Sequence, residues 1–128
     1  MENRAISDVQ ITASTSFGAA WAAIWGRLHV KQTAEHQGAW RARTSDVNQW
    51  LQIDLGSHKT KVTRVATQGR NGYYAHWVKK YYLQYSDNAV NFTNFKEQGQ
   101  EVVKVRLNVA TYVNNTCFRD SVQPPTKL

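Results

Sequence analysis

The sequence predicts an all-β domain, an antiparallel β-sandwich or jelly roll, on three observations. Apolar and polar residues alternate with a period of two in several short runs, as in strands with one buried face. Polar turn residues separate these runs, and helical periodicity is weak. The 128 residues are enough for one domain with its own hydrophobic core.

Residues 50–55 alternate and end at a Gly-Ser pair, and residues 61–68 form a β-branched run that ends at a glycine. Residues 77–85 alternate again, and a polar turn leads into a return strand at residues 90–95, which predicts a hairpin. Residues 103–113 alternate without a break. The predicted core and strand-packing residues are Trp50, Leu51, Ile53, Leu55, Trp77, Tyr81, Leu83 and Tyr85.

Residues 17–25 are apolar but lack strand alternation. One structure that fits is a short Ala-rich helix that packs its tryptophans inward. The other is a long loop that carries apolar side chains to an exposed tip. Composition alone leaves both open.

The net charge of +7 favours a polyanionic partner, which could be nucleic acid, an acidic glycan or an anionic membrane face. The basic residues form no run of five or more and do not alternate with aromatics on one strand face. We therefore expect no nucleic-acid partner, and a basic nucleic-acid-binding domain is the least favoured alternative. No apolar run approaches the roughly 20 residues of a membrane-spanning helix.

Motifs for catalysis are absent from the sequence. It has no nucleophile elbow, no His-Glu-x-x-His motif and no glycine-rich phosphate loop, and its histidines are scattered. Cys117 is the only cysteine, so neither an internal disulfide nor a cysteine-based metal site can form. We expect no enzyme, no catalytic residue, no metal and no cofactor. No secretory signal is visible at the start of the chain.

Six short motifs follow one another in a fixed order. They are AISDVQITAS (residues 5–14), RLH (27–29), GAW (38–40), QWLQIDLG (49–56), VATQGR (65–70), and WVKKY with QYSD (77–81 and 84–87). Together they resemble the coagulation factor V/VIII type C domain, also called the discoidin domain. The resemblance implies a galactose-binding-like jelly roll that serves as a non-catalytic adhesion or ligand-recognition module, secreted or at the cell surface.

The resemblance extends from residue 2 to about residue 103. Residues 1–103 are therefore predicted to form an incomplete discoidin domain, and residues 104–128 a divergent C-terminal segment with a strand and a frayed tail. The terminal cysteines of the family have no counterpart, which implies truncation at both ends, with the closing C-terminal strands missing or replaced. Asn88-Ala89 stands where the family usually has Asp-Gly, so we expect a changed turn type or a positive φ at Asn88.

The resemblance places the ligand contacts in three loops, which map to residues 17–25, 41–47 and 71–76. Aromatic and basic side chains there suit either a sugar or an anionic membrane surface. We favour cell-surface glycan or glycoprotein, because the first loop offers one large apolar wedge among small residues and the third is polar and aromatic. Binding of anionic phospholipid by the same loops is the alternative. The expected ligand-binding residues are Trp21, Arg41, Arg43, Arg70, Tyr73, Tyr74 and His76; Asn91 and Asn114 match the N-glycosylation sequon.

Overall fold

The computed structural model describes residues 6–56, 62, 65–72, 74, 76–97, 100–101, 103–105, 112–113 and 118–122. The strands in these ranges are β1 Ile11–Ala13, β2 Leu51–Ile53, β3 Val65–Ala66, β4 Lys80–Tyr85, β5 Thr93–Asn94, β6 Lys96–Glu97, β7 Gln100–Glu101, β8 Val103–Val105, β9 Tyr112–Val113 and β10 Phe118–Val122. Helical structure there is confined to single 3-10 turns at Asp8–Gln10, Ala19–Trp21 and Ala23–Trp25. The all-β class is confirmed. Within the same ranges, no helix has the length and apolarity needed to cross a bilayer.

One antiparallel sheet dominates the described structure. Its strand order is β1-β2-β10-β4-β5, and β8 also pairs with β4. Ile11 of β1 lies opposite Ile53 of β2, and Asp120 of β10 lies opposite Leu83 of β4. Two smaller pairs, β3 with β9 and β6 with β7, complete the strands. The segment 104–128 thus supplies β10, which lies between β2 and β4, while the division of the chain at residue 103 stays a prediction.

The hydrophobic core forms where the apolar faces of β1, β2 and β4 meet. Ile6, Ile11, Ile53 and Leu83 form its buried cluster, and Ile53 is only 2% exposed. Ala23 of the first loop packs against this cluster, as do the partly buried Leu51, Leu55, Val62 and Val65. The first loop therefore stands directly on the core, which fixes its position relative to the sheet.

Two members of the predicted core lie at the surface instead. Trp77 is 43% exposed and Tyr85 is 40% exposed, whereas Tyr81, which shares their predicted face, is buried. Trp77 precedes the first residue of β4, so strand alternation does not reach it. Tyr85 is the last residue of β4 and pairs with Thr93 of β5, a strand of two residues that gives little cover.

The connection between β4 and β5 also differs from the prediction. Ala89, and not Asn88, has the positive φ, at 57°. The side-chain oxygen of Asn88 accepts hydrogen bonds from the backbone N–H groups of Val90 and Asn91 (3.0 and 2.9 Å) and from the hydroxyl of Ser86 (3.0 Å). These bonds close the turn and hold Ala89 in the left-handed region that a residue with a Cβ disfavours.

Candidate functional site

Residues 17–25 do not form one helix, and of their large aromatic side chains Phe17 is exposed while the two tryptophans are half-buried. The segment folds as two 3-10 turns, closed by bonds from the Trp21 N–H to the Gly18 carbonyl (2.9 Å) and from the Trp25 N–H to the Ala22 carbonyl (3.0 Å). Ala22 is extended between the two turns, which interrupts any longer helix. The indole N–H of Trp25 donates to the Ala19 carbonyl (3.0 Å). Both tryptophans are half-buried.

Backbone hydrogen bonds attach this first loop to the segment that leads into the second. The N–H of Gln37 donates to the Ala20 carbonyl (2.9 Å), and the N–H of Arg41 donates to the Trp21 carbonyl (3.3 Å). The N–H of Phe17 donates to the Arg41 carbonyl (2.9 Å). The two segments therefore behave as one unit on the surface.

Two arginines and two aromatic rings meet at this unit. The guanidinium of Arg41 lies 4.0 Å from the centroid of the Phe17 ring and 5.6 Å from that of Trp21. The guanidinium of Arg70 lies 5.0 Å from the Trp21 ring, and the ring of His76 meets Trp21 edge-on at 6.1 Å. Both arginines are within the range of cation–π attraction. We call these five residues the Trp21 cluster.

Arg70 uses its guanidinium within the protein. Its Nε donates to the Gln37 carbonyl (3.1 Å), and its Nη2 donates to the side-chain oxygens of Gln32 (2.7 Å) and Gln37. Its backbone N–H donates to the His76 carbonyl (2.7 Å), which closes the base of the third loop. Arg70 is half-buried.

Arg41 and Arg43 differ from Arg70 because their guanidinium groups face solvent. Both side chains are exposed, and neither guanidinium has a hydrogen-bond acceptor in the described part of the chain. Within the described residues, the hydrogen bond of Arg43 is made by its backbone N–H, which donates to the Thr15 hydroxyl (3.1 Å). The open donors of both arginines can therefore bind an external anion.

A buried glutamine anchors the base of the second loop. Gln49 is 5% exposed, and its side-chain oxygen accepts hydrogen bonds from the hydroxyls of Ser14 (2.8 Å) and Thr15 (2.6 Å). Its amide donates to the Thr44 hydroxyl (3.0 Å) and to the Asp46 carboxylate (3.0 and 3.1 Å). One side chain thus joins the start of the first loop to residues 44–46.

The same bonds change the acidity of Asp46. The amide of Gln49, the backbone N–H of Asn48 and the hydroxyl of Thr44 all donate to its carboxylate. They lower the pKa of Asp46, with Gln49 the largest cause, because each stabilises the charged form. Asp46 therefore stays ionised at neutral pH, and its carboxylate is the charged acceptor for the Gln49 amide.

Among the described residues, each of the three mapped loops exposes a large apolar side chain. Phe17 in the first loop is 51% exposed, Val47 in the second is 47% exposed, and Tyr74 in the third is 65% exposed. Trp21 does not belong to this set, because the arginines and His76 pack around it.

The structure brings together four of the residues predicted from sequence. These are Trp21, Arg41, Arg70 and His76. Arg43 and Tyr74 lie exposed in their loops, and Tyr73, Asn114 and Cys117 lie outside the described residues. Asn91 is exposed in the β4–β5 turn. Sequence reasoning missed Phe17, Gln32, Gln37 and Gln49, of which only Phe17 carried a signal, as the single phenylalanine of the apolar first loop.

The described residues contain no group of three or more histidine, cysteine, aspartate or glutamate side chains that could hold a metal ion. What the loops offer instead is cationic, aromatic and apolar surface. This combination is suited to binding.

Comparison with known proteins identifies relatives in animals. Coagulation factor V of Sus scrofa is 35% identical over 120 residues, lactadherin of Rattus norvegicus is 36% identical over 113 residues, and coagulation factor VIII of Canis lupus familiaris is 35% identical over 130 residues. These matches cover 90%, 80% and 98% of this chain, but only 5%, 25% and 5% of the respective relatives. The chain thus corresponds to a small part of each relative.

The fold has a solved counterpart as well. Recombinant discoidin II of Dictyostelium discoideum aligns with a TM-score of 0.72 over 89% of this chain and 49% of that one, at 17% identity. A likeness at that identity shows the fold alone. The model of the F5/8 type C domain matches residues 10–124. The chain therefore belongs to the F5/8 type C domain family.

Proposed function

We propose that the chain is a non-catalytic, extracellular ligand-recognition module that binds an anionic membrane surface through its three loops. The observation that carries the proposal is the exposure of one large apolar side chain in every loop, Phe17, Val47 and Tyr74. Arg41 and Arg43 stand beside them with open donors. The relatives, two coagulation factors and lactadherin, support a place outside the cell.

Membrane binding is favoured over glycan binding because of how Trp21 is packed. The preference for glycan from sequence took Trp21 as the exposed wedge of the first loop and as a stacking surface. Its ring is half-buried and lies next to two guanidinium groups, while Phe17 is the exposed wedge. Phe17 thus takes the place of Trp21 as the apolar wedge of the first loop, and the surface available for stacking a pyranose is smaller than the sequence suggested.

The energies agree with weak but measurable binding. Burying the exposed part of each apolar side chain contributes about 1 kcal/mol, and each arginine near an anionic surface contributes a further ~1 kcal/mol. The total of roughly 5 kcal/mol corresponds to a dissociation constant in the high micromolar range. Binding at this level depends on every loop, so loss of one apolar side chain reduces it severalfold.

The experiment measures sedimentation of the chain with vesicles of phosphatidylcholine, with and without phosphatidylserine. We expect binding only when phosphatidylserine is present, and we expect Val47→Ala to reduce it. Val90→Ala is the matched control, because Val90 is 76% exposed in the turn at the far end of β4, about 17 Å of strand away from the third loop. Equal loss of binding in both variants, or no binding by the unchanged chain, would contradict the proposal.

Recognition of a cell-surface glycan or glycoprotein is the second candidate, and one observation favours it. Tyr74 presents a largely exposed ring in a polar loop, close in sequence to the exposed His76. An aromatic face stacks on a pyranose, while histidine and the open donors of Arg41 hydrogen-bond hydroxyl or acidic groups. Binding on a glycan array that is lost in Tyr74→Ala, with no binding to vesicles, would select this candidate.

A further inference from the structure

We infer that Arg70 is a positioning residue, which holds the first and third loops against the segment that contains Gln32 and Gln37 through its Nε and Nη2 donors. Both the sequence position and the charge of Arg70 favour a ligand contact, since it lies at the start of the third loop. Its hydrogen bonds point to the other role. The binding part of this inference rests on the proposed function, but its structural part can be tested separately.

Three of the five N–H donors of the Arg70 guanidinium are already occupied. Nε and Nη2 together bind three oxygen atoms of Gln32 and Gln37, and the guanidinium also packs 5.0 Å from the Trp21 ring. Arg41, by contrast, makes only the ring contacts of its guanidinium within the described structure and is exposed. An anion that took the Nε and Nη2 donors of Arg70 would have to displace two glutamines, whereas at Arg41 it would displace only water.

Gln37 transmits the effect of Arg70 to the first loop. Its carbonyl and its side-chain oxygen both accept hydrogen bonds from Arg70, while its own N–H donates to the carbonyl of Ala20. Ala20 immediately precedes Trp21. Arg70 therefore fixes the position of Gln37, which is hydrogen-bonded to the first loop at Ala20. Through this bond it also helps to fix the Trp21 ring that Arg41 contacts.

The third loop is shaped to allow this arrangement. A Cβ at Gly72 would lie 3.0 Å from the side-chain oxygen of Gln32 and 3.3 Å from Nε of Arg70. Any larger residue there would crowd the hydrogen bond between the two. The absence of a side chain at Gly72 thus lets the backbone of the third loop approach the hydrogen bond between Arg70 and Gln32 closely.

Lysine cannot replace arginine in this role. The planar guanidinium donates in several fixed directions at once, whereas an ammonium group is a compact point charge on a flexible stem. Arg70→Lys keeps the charge and loses the geometry. If Arg70 only attracted an anion, the lysine variant would bind nearly as well as the unchanged chain.

The test compares Arg70→Lys with the matched control Arg41→Lys, which makes the same chemical change at the exposed arginine. Affinity is measured on vesicles that contain phosphatidylserine. Hydrogen exchange is measured at the backbone N–H of Gln37. The reference is the backbone N–H of Asp54, which donates to the Gln10 carbonyl (2.8 Å) next to the β1–β2 pair. We expect Arg70→Lys to lower affinity about tenfold and to speed exchange at Gln37 by a similar factor while Asp54 is unchanged. Arg41→Lys should leave both exchange rates unchanged.

Exchange at Gln37 that is unchanged in Arg70→Lys overturns the inference, whatever the affinity does. If the unchanged chain binds no vesicles, the proposed membrane function fails, and the exchange rates still decide whether Arg70 positions the loops. Gln32→Ala serves as the milder variant should Arg70→Lys not fold, because Gln32 is exposed and supplies one of the three acceptors. It should speed exchange at Gln37 by a smaller factor, and no change in it would count against the inference.

Discussion

Replacement of Gly38 by alanine should destabilise the domain strongly, and the structure provides the magnitude. Gly38 has a φ of +67°, which costs a residue with a Cβ about 1–2 kcal/mol. The added Cβ would also lie 2.7 Å from the backbone nitrogen of Gln32 and from the backbone carbon of Lys31. Backbone atoms cannot move aside as the end of a flexible side chain can, and such overpacking costs a further ~1–3 kcal/mol. We expect Gly38→Ala to lower the free energy of unfolding by about 3 kcal/mol.

Two other glycines separate the cost of the backbone conformation from the cost of the close contact. Gly56 has a φ of +83° with open space around its Cβ position, so Gly56→Ala should cost only the ~1 kcal/mol of the backbone conformation. Gly18 is extended and also open, so Gly18→Ala should change stability by less than about 0.5 kcal/mol. The assay is urea unfolding of all three variants. Equal losses in Gly38→Ala and Gly56→Ala would refute the argument, because the contact with residues 30–32 would then contribute nothing.

Three further predictions concern the loops and the hairpin. Gln49→Ala leaves the hydroxyls and the carboxylate around it without their shared partner, and we expect urea unfolding to show a loss of about 2–3 kcal/mol. Because folding lowers the pKa of Asp46 from 3.8, its contribution to stability is present above that value and is lost as the pH falls through the lower folded pKa. Asp46→Asn should accordingly reduce the acid dependence of the unfolding midpoint as the pH falls below 3.8, and an unaltered dependence would argue against this carboxylate. Ala89→Gly relieves a positive φ and should raise the thermal midpoint, with a gain of roughly 0.5–1 kcal/mol, whereas a lower midpoint would contradict the strain at that turn.

The sequence predicted most where the signal was local. Alternation at residues 51–53 and 81–83 predicted strands that the structure contains, because a strand with one buried face must repeat every second residue. The same rule failed at Trp77 and Tyr85, which lie just before and at the end of β4. Alternation continues in the sequence past the point where a neighbouring strand stops covering the side chains, so it cannot show where burial ends.

The turn at residues 86–91 shows a similar limit. Sequence reasoning expected either a changed turn type or a positive φ at Asn88, since asparagine tolerates that conformation better than alanine does. In the structure the Asn88 side chain bonds Val90, Asn91 and Ser86, and the positive φ falls on Ala89. Which residue carries the strain depends on which one has better hydrogen bonds to make, and that requires the positions of several atoms at once.

By itself, the sequence determined the all-β class and the family, and it singled out Trp21, Arg41, Arg70 and His76 as candidate binding residues. These properties follow from residue order, because strand alternation and ordered motifs are written along the chain. Only the tertiary structure decided the separate roles of the two arginines, with Arg41 open to solvent and Arg70 bonded to Gln32 and Gln37. Gln32 and Gln37 are more than 30 residues away from Arg70 in the chain. No pattern along the chain records such a contact, since it exists only after the sheet has folded and brought the loops to the same place.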